Sequence, residues 1–450
     1  MIEIVNVSEL SFQTALELIR RRFDALEQAS EAGGDVLSPI AIVRRIVKGV
    51  RERGDAALLE FTRQYDGCTL TAETLRVTEE EIEQAYELVT VELIEAIRTV
   101  IANVTEYQQH ILLAAPDDFT RDGVTIQTRY EPLEAVGVYV PGGLAAYPST
   151  LVMAAVPARI AGVERIAVTT PPDTDGAVPA PTLVAAKEAG VTELYRVGGA
   201  QAIAALAHGT PTIPRVDKIV GPGNLYVMLA KKEIFGHADI DLFAGPSEIL
   251  ILADATANES YIAADMLSQA EHDPLASSIL LTTSQQLAEA VGKEIEQQLE
   301  TLATRDVATQ SIDRYGLIVV ADTIEQCIGL CNDLAPEHVE VMTTQPNETV
   351  AKIRRAGAIF IGTHTPEVVG DYIAGTSHIL PTGGSARFFS GLSVNSFLRK
   401  TAVIEYSASG LREALPHLRA LGNAEGFAAH VASANVRFPK PDENNAKSQK

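Results

Sequence analysis

Apolar residues recur at helical spacing in the first part of the chain. Two sets lie three or four residues apart: Leu16, Ile19, Phe23 and Leu26, followed by Ile40, Val43, Val47 and Val50. This spacing predicts helices across residues 11–66, separated by a glycine-containing loop at 31–35. A further long helix is predicted from Glu79 to about His110.

The pattern changes near Val124 to short apolar runs that alternate with helical stretches. The runs at 135–140, 165–169, 194–197 and 218–220 predict strands, and proline or glycine turns follow each of them. A helix is predicted at Ala200–His208, directly after the third strand. Four strand–helix units of this kind predict a parallel, Rossmann-like sheet over roughly 125–245.

Five later apolar runs predict a second α/β domain over 246–375, completed by N-terminal elements. They are 248–252, 278–282, 316–320, 338–342 and 358–361. A smaller appendage follows from 385, and the polar residues 439–450 are predicted to be disordered. The resulting division is a helical segment 1–35, one α/β domain from 36–140 with 246–380, a Rossmann-like domain 141–245, and a C-terminal segment 381–438.

Composition supports a globular protein and excludes some partners. The 450 residues are 46% hydrophobic and 21% charged, and this length predicts at least two domains. Lys and Arg number 36 against 59 Asp and Glu, which gives a formal charge of −23. Such a charge argues against nucleic acid and against an anionic membrane surface as partners.

The expected location is the cytoplasm. The first ten residues mix acidic and apolar side chains and lack the basic run of a secretory signal. The most apolar stretch, 144–163, is interrupted by Pro148 and Pro157 and carries Arg159, so a membrane span is not expected. Three cysteines are a low, odd number that fits a reducing compartment.

A candidate metal site lies in the segment 256–274. Thr256 and Glu259 have capping-box spacing and predict a helix start, and Asp273 and Pro274 predict its end. Gln269 and His272 then share one face of the last turn, where an amide oxygen and an imidazole nitrogen could bind zinc. The alternative is that His272 only interacts with the helix dipole.

Candidate acid–base groups lie near the later strands. Glu337 and His338 are adjacent at a strand entrance, which suits proton transfer, although an exposed loop pair is the alternative. Asp371 follows the run 358–361, and carboxylates past the carboxyl end of a parallel strand often belong to active sites. The alternative is an aspartate in an ordinary turn.

The late residues Glu425 and His430 are five apart and do not share one helix face cleanly. Asn423 could cap that helix, with Glu425 favouring its dipole. Cys327 and Cys331 fall four apart on a helix, where core positions are a better interpretation than metal ligation.

Tyr139, Gln201 and Asn224 follow strands of the first α/β region, where a cofactor could contact them. No G-x-G-x-x-G string follows a predicted strand, so a dinucleotide would bind in a variant way.

The set of local strings closely resembles the histidinol dehydrogenase family over about residues 35–436. The most specific strings are DIDLFAGPSE at 239–248 and ADMLSQAEH at 264–272. Shorter ones are YVPGG at 139–143, VGGAQA at 197–202, GPGN at 221–224, APEH at 335–338, GDY at 370–372 and LPTGG at 380–384.

The resemblance implies an enzyme that oxidises L-histidinol to L-histidine in two NAD-dependent steps, the last step of histidine biosynthesis. By motif it implies Gln269, His272, Asp371 and His430 as Zn²⁺ ligands, and Glu337 and His338 as the acid–base pair. Ser247 and Glu425, together with His338 and the zinc ligands, would contact substrate. Tyr139, Gln201 and Asn224 would contact NAD.

The predicted fold class is α/β, with two Rossmann-like, aldehyde-dehydrogenase-like parallel-sheet domains, a helical N-terminal segment and a small C-terminal segment. Residues 36–140 with 246–380 would form the zinc and substrate side, and 141–245 the NAD side. The resemblance also implies a homodimer in which 381–438 crosses to the partner. Alternatives are a relative of the same fold that oxidises another small alcohol, a zinc hydrolase, and a non-catalytic protein with structural zinc.

Overall fold

The computed structural model describes residues 2–7, 13–14, 16–18, 38–142, 146–243 and 245–438. These residues divide into two compact units. The first comprises Met1–Leu112 and Leu133–Phe397, and the second comprises Leu113–Pro132 and the residues from Leu398 onward. This division does not separate the two expected α/β domains, whose boundaries stay a prediction.

The first part of the chain contains one described strand followed by four helices: β1 (Glu3–Asn6), α1 (Pro39–Arg53), α2 (Asp55–Tyr65), α3 (Glu79–Ala85) and α4 (Val91–Ile111). The prediction of one long helix from Glu79 is wrong, because α3 ends at Ala85 and a separate helix, α4, begins at Val91. The Thr90 side chain accepts a hydrogen bond from the Leu93 N–H and so starts a new helix. Most of the expected N-terminal helical segment lies outside the described residues.

A five-stranded parallel sheet follows the short strands β2 (Phe119–Arg121) and β3 (Val124–Pro132) in the chain. Its strands are β4 (Ala135–Tyr139), β5 (Arg165–Thr170), β6 (Glu193–Arg196), β7 (Lys218–Val220) and β8 (Asp239–Ile240). Helices α5 (Pro148–Ala161), α6 (Ala180–Glu188), α7 (Gly199–His208) and α8 (Leu225–Ile234) connect them. The order β6-β5-β4-β7-β8 confirms the predicted Rossmann-like sheet.

Helices α1 and α2 pack on α7 and α8, two of the helices that connect the strands of this sheet. Apolar residues of α1 and α2, among them Val50, Leu58 and Phe61, share a buried cluster with α7 and α8. This packing brings Asp66, the C-cap of α2, to the turn after β6, where a Cβ atom on Gly198 would lie 3.0 Å from Asp66 Oδ1.

A six-stranded parallel sheet forms the rest of the first unit. Its later strands are β9 (Glu248–Ala253), β10 (Ser277–Thr282), β11 (Leu317–Val320), β12 (His338–Met342) and β13 (Ala358–Ile361). The helices are α9 (Glu259–Ala270), α10 (Gln285–Leu299), α11 (Arg305–Tyr315), α12 (Ile324–Leu334), α13 (Pro346–Val350) and α14 (Val368–Tyr372). The order is β1-β11-β10-β9-β12-β13, so the predicted completion by an N-terminal element is confirmed.

The caps of α9 differ from the prediction. Asn258, not Thr256, caps the helix and accepts hydrogen bonds from the Ser260 and Tyr261 N–H groups. The Thr256 hydroxyl is engaged by Asp254 instead. The helix ends at Ala270, so His272 lies just beyond its last turn.

The second unit is built on an antiparallel sheet of order β14-β3-β2, in which β14 is Leu398–Tyr406. Helices α15 (Ala408–Ala424) and α16 (Ala428–Asn435) follow. The sequence analysis did not identify this sheet, because its strands are only partly buried. The predicted disordered tail 439–450 lies outside the described residues. No helix in the described part of the chain has the length and apolar character needed to cross a membrane.

Candidate active site

A buried histidine begins β12 at the amino edge of the six-stranded sheet. His338 pairs with Ile249, the second residue of the parallel strand β9, so Glu248 and Glu337 lie at the same edge. Asp371 is brought back to this edge by α14, close to His338. The expectation that Asp371 acts at a carboxyl end is therefore wrong, because the chain reverses direction after β13.

Two acceptors face one nitrogen of the His338 ring. Nδ1 lies 3.0 Å from the Glu248 carbonyl oxygen and 3.1 Å from the Gln269 Oε1. Because both partners accept, the proton lies on Nδ1, and Nε2 carries the free lone pair. Nε2 faces Glu367, whose Oε1 is 3.6 Å away. The fold therefore fixes the tautomer that a general base requires.

Carboxyl groups surround this ring. Glu337 Oε2 is 3.7 Å from Nδ1 and accepts a hydrogen bond of 2.9 Å from the Glu248 N–H. Glu340 Oε1 accepts from the Glu367 N–H at 2.7 Å. The Glu248 side chain accepts from the Gly383 N–H, which ties the LPTGG segment to the same edge.

Burial controls the protonation of these groups. It lowers the pKa of His338 to about 4, so the ring is neutral near pH 7. Burial, followed by the charge of Glu248, raises the pKa of Glu337 well above its ordinary value. Burial and Asp371 likewise raise the pKa of Glu367 to about 9. A neutral imidazole beside carboxyl groups with raised pKa values is characteristic of acid–base catalysis.

Three side chains among the described residues could share a metal ion. One ligand atom each from His338, Glu367 and Asp371 lies within 4.8 Å of the others. Gln269 lies next to this group, because its Oε1 atom contacts the His338 ring. The exposed His272 is close enough for its charge to affect the pKa of His338. The sequence analysis missed Glu367, although its spacing of four from Asp371 places both carboxyls on one helical face.

A second histidine, also missed, supports Asp371. The Nδ1 atom of His378 lies 3.0 Å from the Asp371 carbonyl oxygen, and its Nε2 atom lies 3.0 Å from the Thr150 hydroxyl at the start of α5. His378 belongs to the string Thr376-Ser377-His378, which lies between glycine-containing turns. No spacing of apolar residues there indicated that His378 contacts Asp371.

The remaining predicted substrate residues fall in different parts of the chain. Ser247 directly precedes β9, and its carbonyl accepts from the Ser277 N–H. Glu425 is the C-cap of α15 and His430 lies in α16, both exposed in the second unit. Asn423 belongs to the last turn of α15 and does not cap the following helix, so that interpretation is wrong.

The three predicted NAD residues lie at the carboxyl edge of the five-stranded sheet. Tyr139 ends β4, and its hydroxyl accepts a 3.1 Å hydrogen bond from the Gly199 N–H. Gln201 lies in the first turn of α7 and is buried. Asn224 caps α8 through the Tyr226 and Val227 N–H groups. The strand order reverses between β4 and β7, which is where such sheets bind ligands.

The cysteines of α12 are core residues, as predicted. Cys327 and Cys331 are fully buried, and burial raises the pKa of Cys327 to about 12. Neither is therefore a thiolate nucleophile near pH 7.

Comparison with known proteins identifies one family. The family profile described as histidinol dehydrogenase matches residues 31–438. The histidinol dehydrogenase of Geobacillus kaustophilus is 51% identical over 88% of this chain and 93% of its own length. That of a Synechococcus strain is 50% identical over 88% and 92%. The crystal structure of the Elizabethkingia anophelis enzyme superimposes with a TM-score of 0.89 at 34% identity, covering 97% of this chain and 98% of the other.

Proposed function

The chain belongs to the histidinol dehydrogenase family, and we propose that it oxidises L-histidinol to L-histidine in two NAD-dependent steps through a bound aldehyde. This would make it the enzyme of the last step of histidine biosynthesis. The observation that carries the proposal is the buried pair of Glu337 and His338. A neutral imidazole beside a carboxyl group suits removal of a hydroxyl proton and activation of water.

The metal proposed for this site is Zn²⁺, with Gln269, His272, Asp371 and the partner subunit's His430 as ligands. The donors are nitrogen and oxygen atoms, which zinc accepts in open catalytic sites. The Glu367 carboxyl group lies beside Asp371 and His338, where a bound cation would favour its ionised form. When bound, zinc would hold the substrate's amine and imidazole nitrogens and fix its orientation.

His338 is the proposed base for both oxidations. Its Nε2 lone pair is free, because Nδ1–H faces the Glu248 carbonyl and the Gln269 amide. It removes the proton of the substrate hydroxyl while NAD accepts the hydride, first from the alcohol and later from the hydrate. Ser247 and Glu425 are the further proposed substrate contacts.

Glu337 is the proposed base for the water step. It removes a proton from the water that adds to the bound aldehyde and gives the hydrate. Burial raises its pKa, which makes its carboxylate form a stronger base than an ordinary glutamate. We expect no thioester step, because Cys327 and Cys331 are buried and are not thiolates near pH 7.

We also propose a cytoplasmic homodimer with shared active sites. In this arrangement Glu425 and His430 complete the site of the partner subunit, so an isolated subunit would be inactive. Tyr139, Gln201 and Asn224 are the proposed NAD contacts.

The decisive experiment follows NADH absorbance to completion with purified protein, NAD and L-histidinol. Two NADH per histidinol, lost with a chelator and restored by zinc, would support the four-electron reaction and the metal together. One NADH per histidinol would mean that the aldehyde escapes, and the role of Glu337 would be wrong. If only another alcohol is oxidised, the proposed substrate is wrong and that alcohol takes its place. If a substrate is converted without formation of NADH, a zinc hydrolase is favoured.

A further inference from the structure

A carboxylate from outside the five-stranded sheet reaches its carboxyl edge. Asp66 is the C-cap of α2, and its backbone N–H donates to the Thr62 carbonyl. Because α2 packs in the same apolar cluster as α7, the Asp66 side chain lies against the turn that joins β6 to α7. A Cβ atom added to Gly198 in this turn would stand 3.0 Å from Asp66 Oδ1.

The Asp66 side chain orients one of the proposed NAD contacts. Its Oδ2 atom accepts a 3.1 Å hydrogen bond from Gln201 Nε2, and the Gly198 N–H donates to the same carboxyl group. With the amide nitrogen held in this way, Gln201 presents its oxygen beside Gly199. The Gly199 N–H in turn donates to the Tyr139 hydroxyl. Asp66 therefore belongs to one polar cluster with two of the three residues assigned to NAD.

The stability of the fold does not explain why a carboxylate occupies this position. Its hydrogen-bond partners are an amide and a backbone N–H, which leave part of its accepting capacity unused. Arg196, a nearby cation, instead donates to the Gly176 carbonyl and to Glu81. Burial raises the pKa of Asp66 to about 6, so holding the charged form in this place is unfavourable.

The position of Asp66 is similar to that of the acidic residue that binds a ribose in other Rossmann-type sheets. In Rossmann-type sheets an acidic residue near the end of the second strand binds a ribose hydroxyl of the dinucleotide. Here the second strand is β5, which is followed by Pro171 and Pro172. The next residue, Asp173, uses its Oδ1 atom to accept from the Asp175 and Ala177 N–H groups of its own loop. Gly198 contacts both Pro171 and Asp66, so Asp66 lies beside this end of β5.

We propose that Asp66 recognises the adenosine ribose of NAD through its 2′-hydroxyl and excludes NADP. The carboxylate accepts a hydrogen bond from the hydroxyl, whereas the 2′-phosphate of NADP brings a second negative charge to the same place. The inference rests on the proposed function, since it takes the cofactor to be NAD bound at Tyr139, Gln201 and Asn224.

The test measures dissociation constants for NAD and NADP by calorimetry with the wild type, Asp66→Asn, Asp66→Ser and Asp173→Asn. Both Asp66 variants should weaken NAD binding and shift the preference towards NADP by about tenfold or more, because a charge-assisted hydrogen bond and a repulsion are both removed. Tighter NADP binding in either variant cannot come from misfolding. Asp173→Asn, an identical change in the adjoining loop, should leave the ratio within about twofold.

A measurement on the wild type alone covers the case in which the variants fold poorly. The analogue of NAD that lacks the adenosine 2′-hydroxyl should bind about tenfold more weakly than NAD. An unchanged NAD to NADP ratio in folded Asp66 variants, or equal binding of the deoxy analogue, would overturn the assignment while NADH production from histidinol continues. A wild type that neither binds NAD nor forms NADH would instead overturn the proposed function.

Discussion

At the scale of single residues, Asp66 makes stability depend on pH in a defined direction. Its pKa is raised from 3.8 to about 6 in the folded state, so between these values the folded chain binds more protons than the unfolded chain. Its contribution to stability is therefore lost as the pH rises through this window. We expect the stability of Asp66→Asn relative to wild type to increase by about 1 kcal/mol between about pH 5 and about pH 8.

Denaturant unfolding of both proteins at the two pH values measures this difference. A difference that stays constant, or that falls as the pH rises, would mean that the carboxyl group is not desolvated by the fold.

The acid–base pair gives a second prediction at this scale. His338→Asn should lower the rate of both oxidations by about 10²- to 10⁴-fold, because it removes the base at Nε2. Glu337→Gln should mainly slow oxidation of the aldehyde, because that step needs an activated water. Stopped-flow measurement of NADH formation from histidinol and from its aldehyde separates the two. Equal losses in both steps for Glu337→Gln would contradict the division of roles.

At the scale of elements, a buried ion pair holds the turn between β7 and α8. Lys231 Nζ lies 2.6 Å from Asp241 Oδ1 and also donates to the Gly221 carbonyl, while Asp241 Oδ2 accepts from the Gly221 N–H at 2.7 Å. The two side chains are 2% and 1% exposed. Gly221 has φ +112°, and a Cβ atom there would collide with the Tyr139 carbonyl, so β4 and β7 meet closely at this turn.

Lys231→Met should therefore destabilise the protein by about 3–5 kcal/mol, because it leaves the Asp241 charge buried without compensation. Adding Asp241→Asn should recover part of that loss. Lys232→Met, the same change at the exposed neighbouring lysine, should stay within about 0.5 kcal/mol of wild type. These values can be read from denaturant unfolding. A near-neutral Lys231→Met would show that the pair does not hold the turn.

Elements with strong local patterns were predictable, and those that depend on distant partners were not. β12 and β13 match their predicted bounds, because short apolar runs between polar turns have few other folded arrangements. The start of α9 did not match, since Thr256 and Asn258 are both good caps and Asp254 binds the Thr256 hydroxyl. The antiparallel sheet of β2, β3 and β14 was missed because its strands are only partly buried and because β14 lies far from β3 in the sequence.

At the scale of the whole molecule, the shared-site dimer can be tested by complementation. His338→Asn and His430→Asn subunits should each be inactive alone. When they are mixed, unfolded and refolded together, about a quarter of wild-type activity should return, because half of the dimers are mixed and one of their two sites is intact. Ultracentrifugation of each variant controls for dimerisation. Mixed dimers without activity would mean that His430 serves its own subunit.

The sequence by itself determined the α/β class, the two parallel sheets, the family and the residues of the proposed chemistry. These follow from local apolar periodicity and from contiguous strings such as those around Gln269, Glu337 and Asp371. Only the tertiary structure decided that the His338 cluster forms at the amino edge, that Glu367 and His378 join it, and that Asp66 reaches the turn after β6. Those contacts join residues far apart in the chain, and their pKa values depend on burial, which no local pattern encodes.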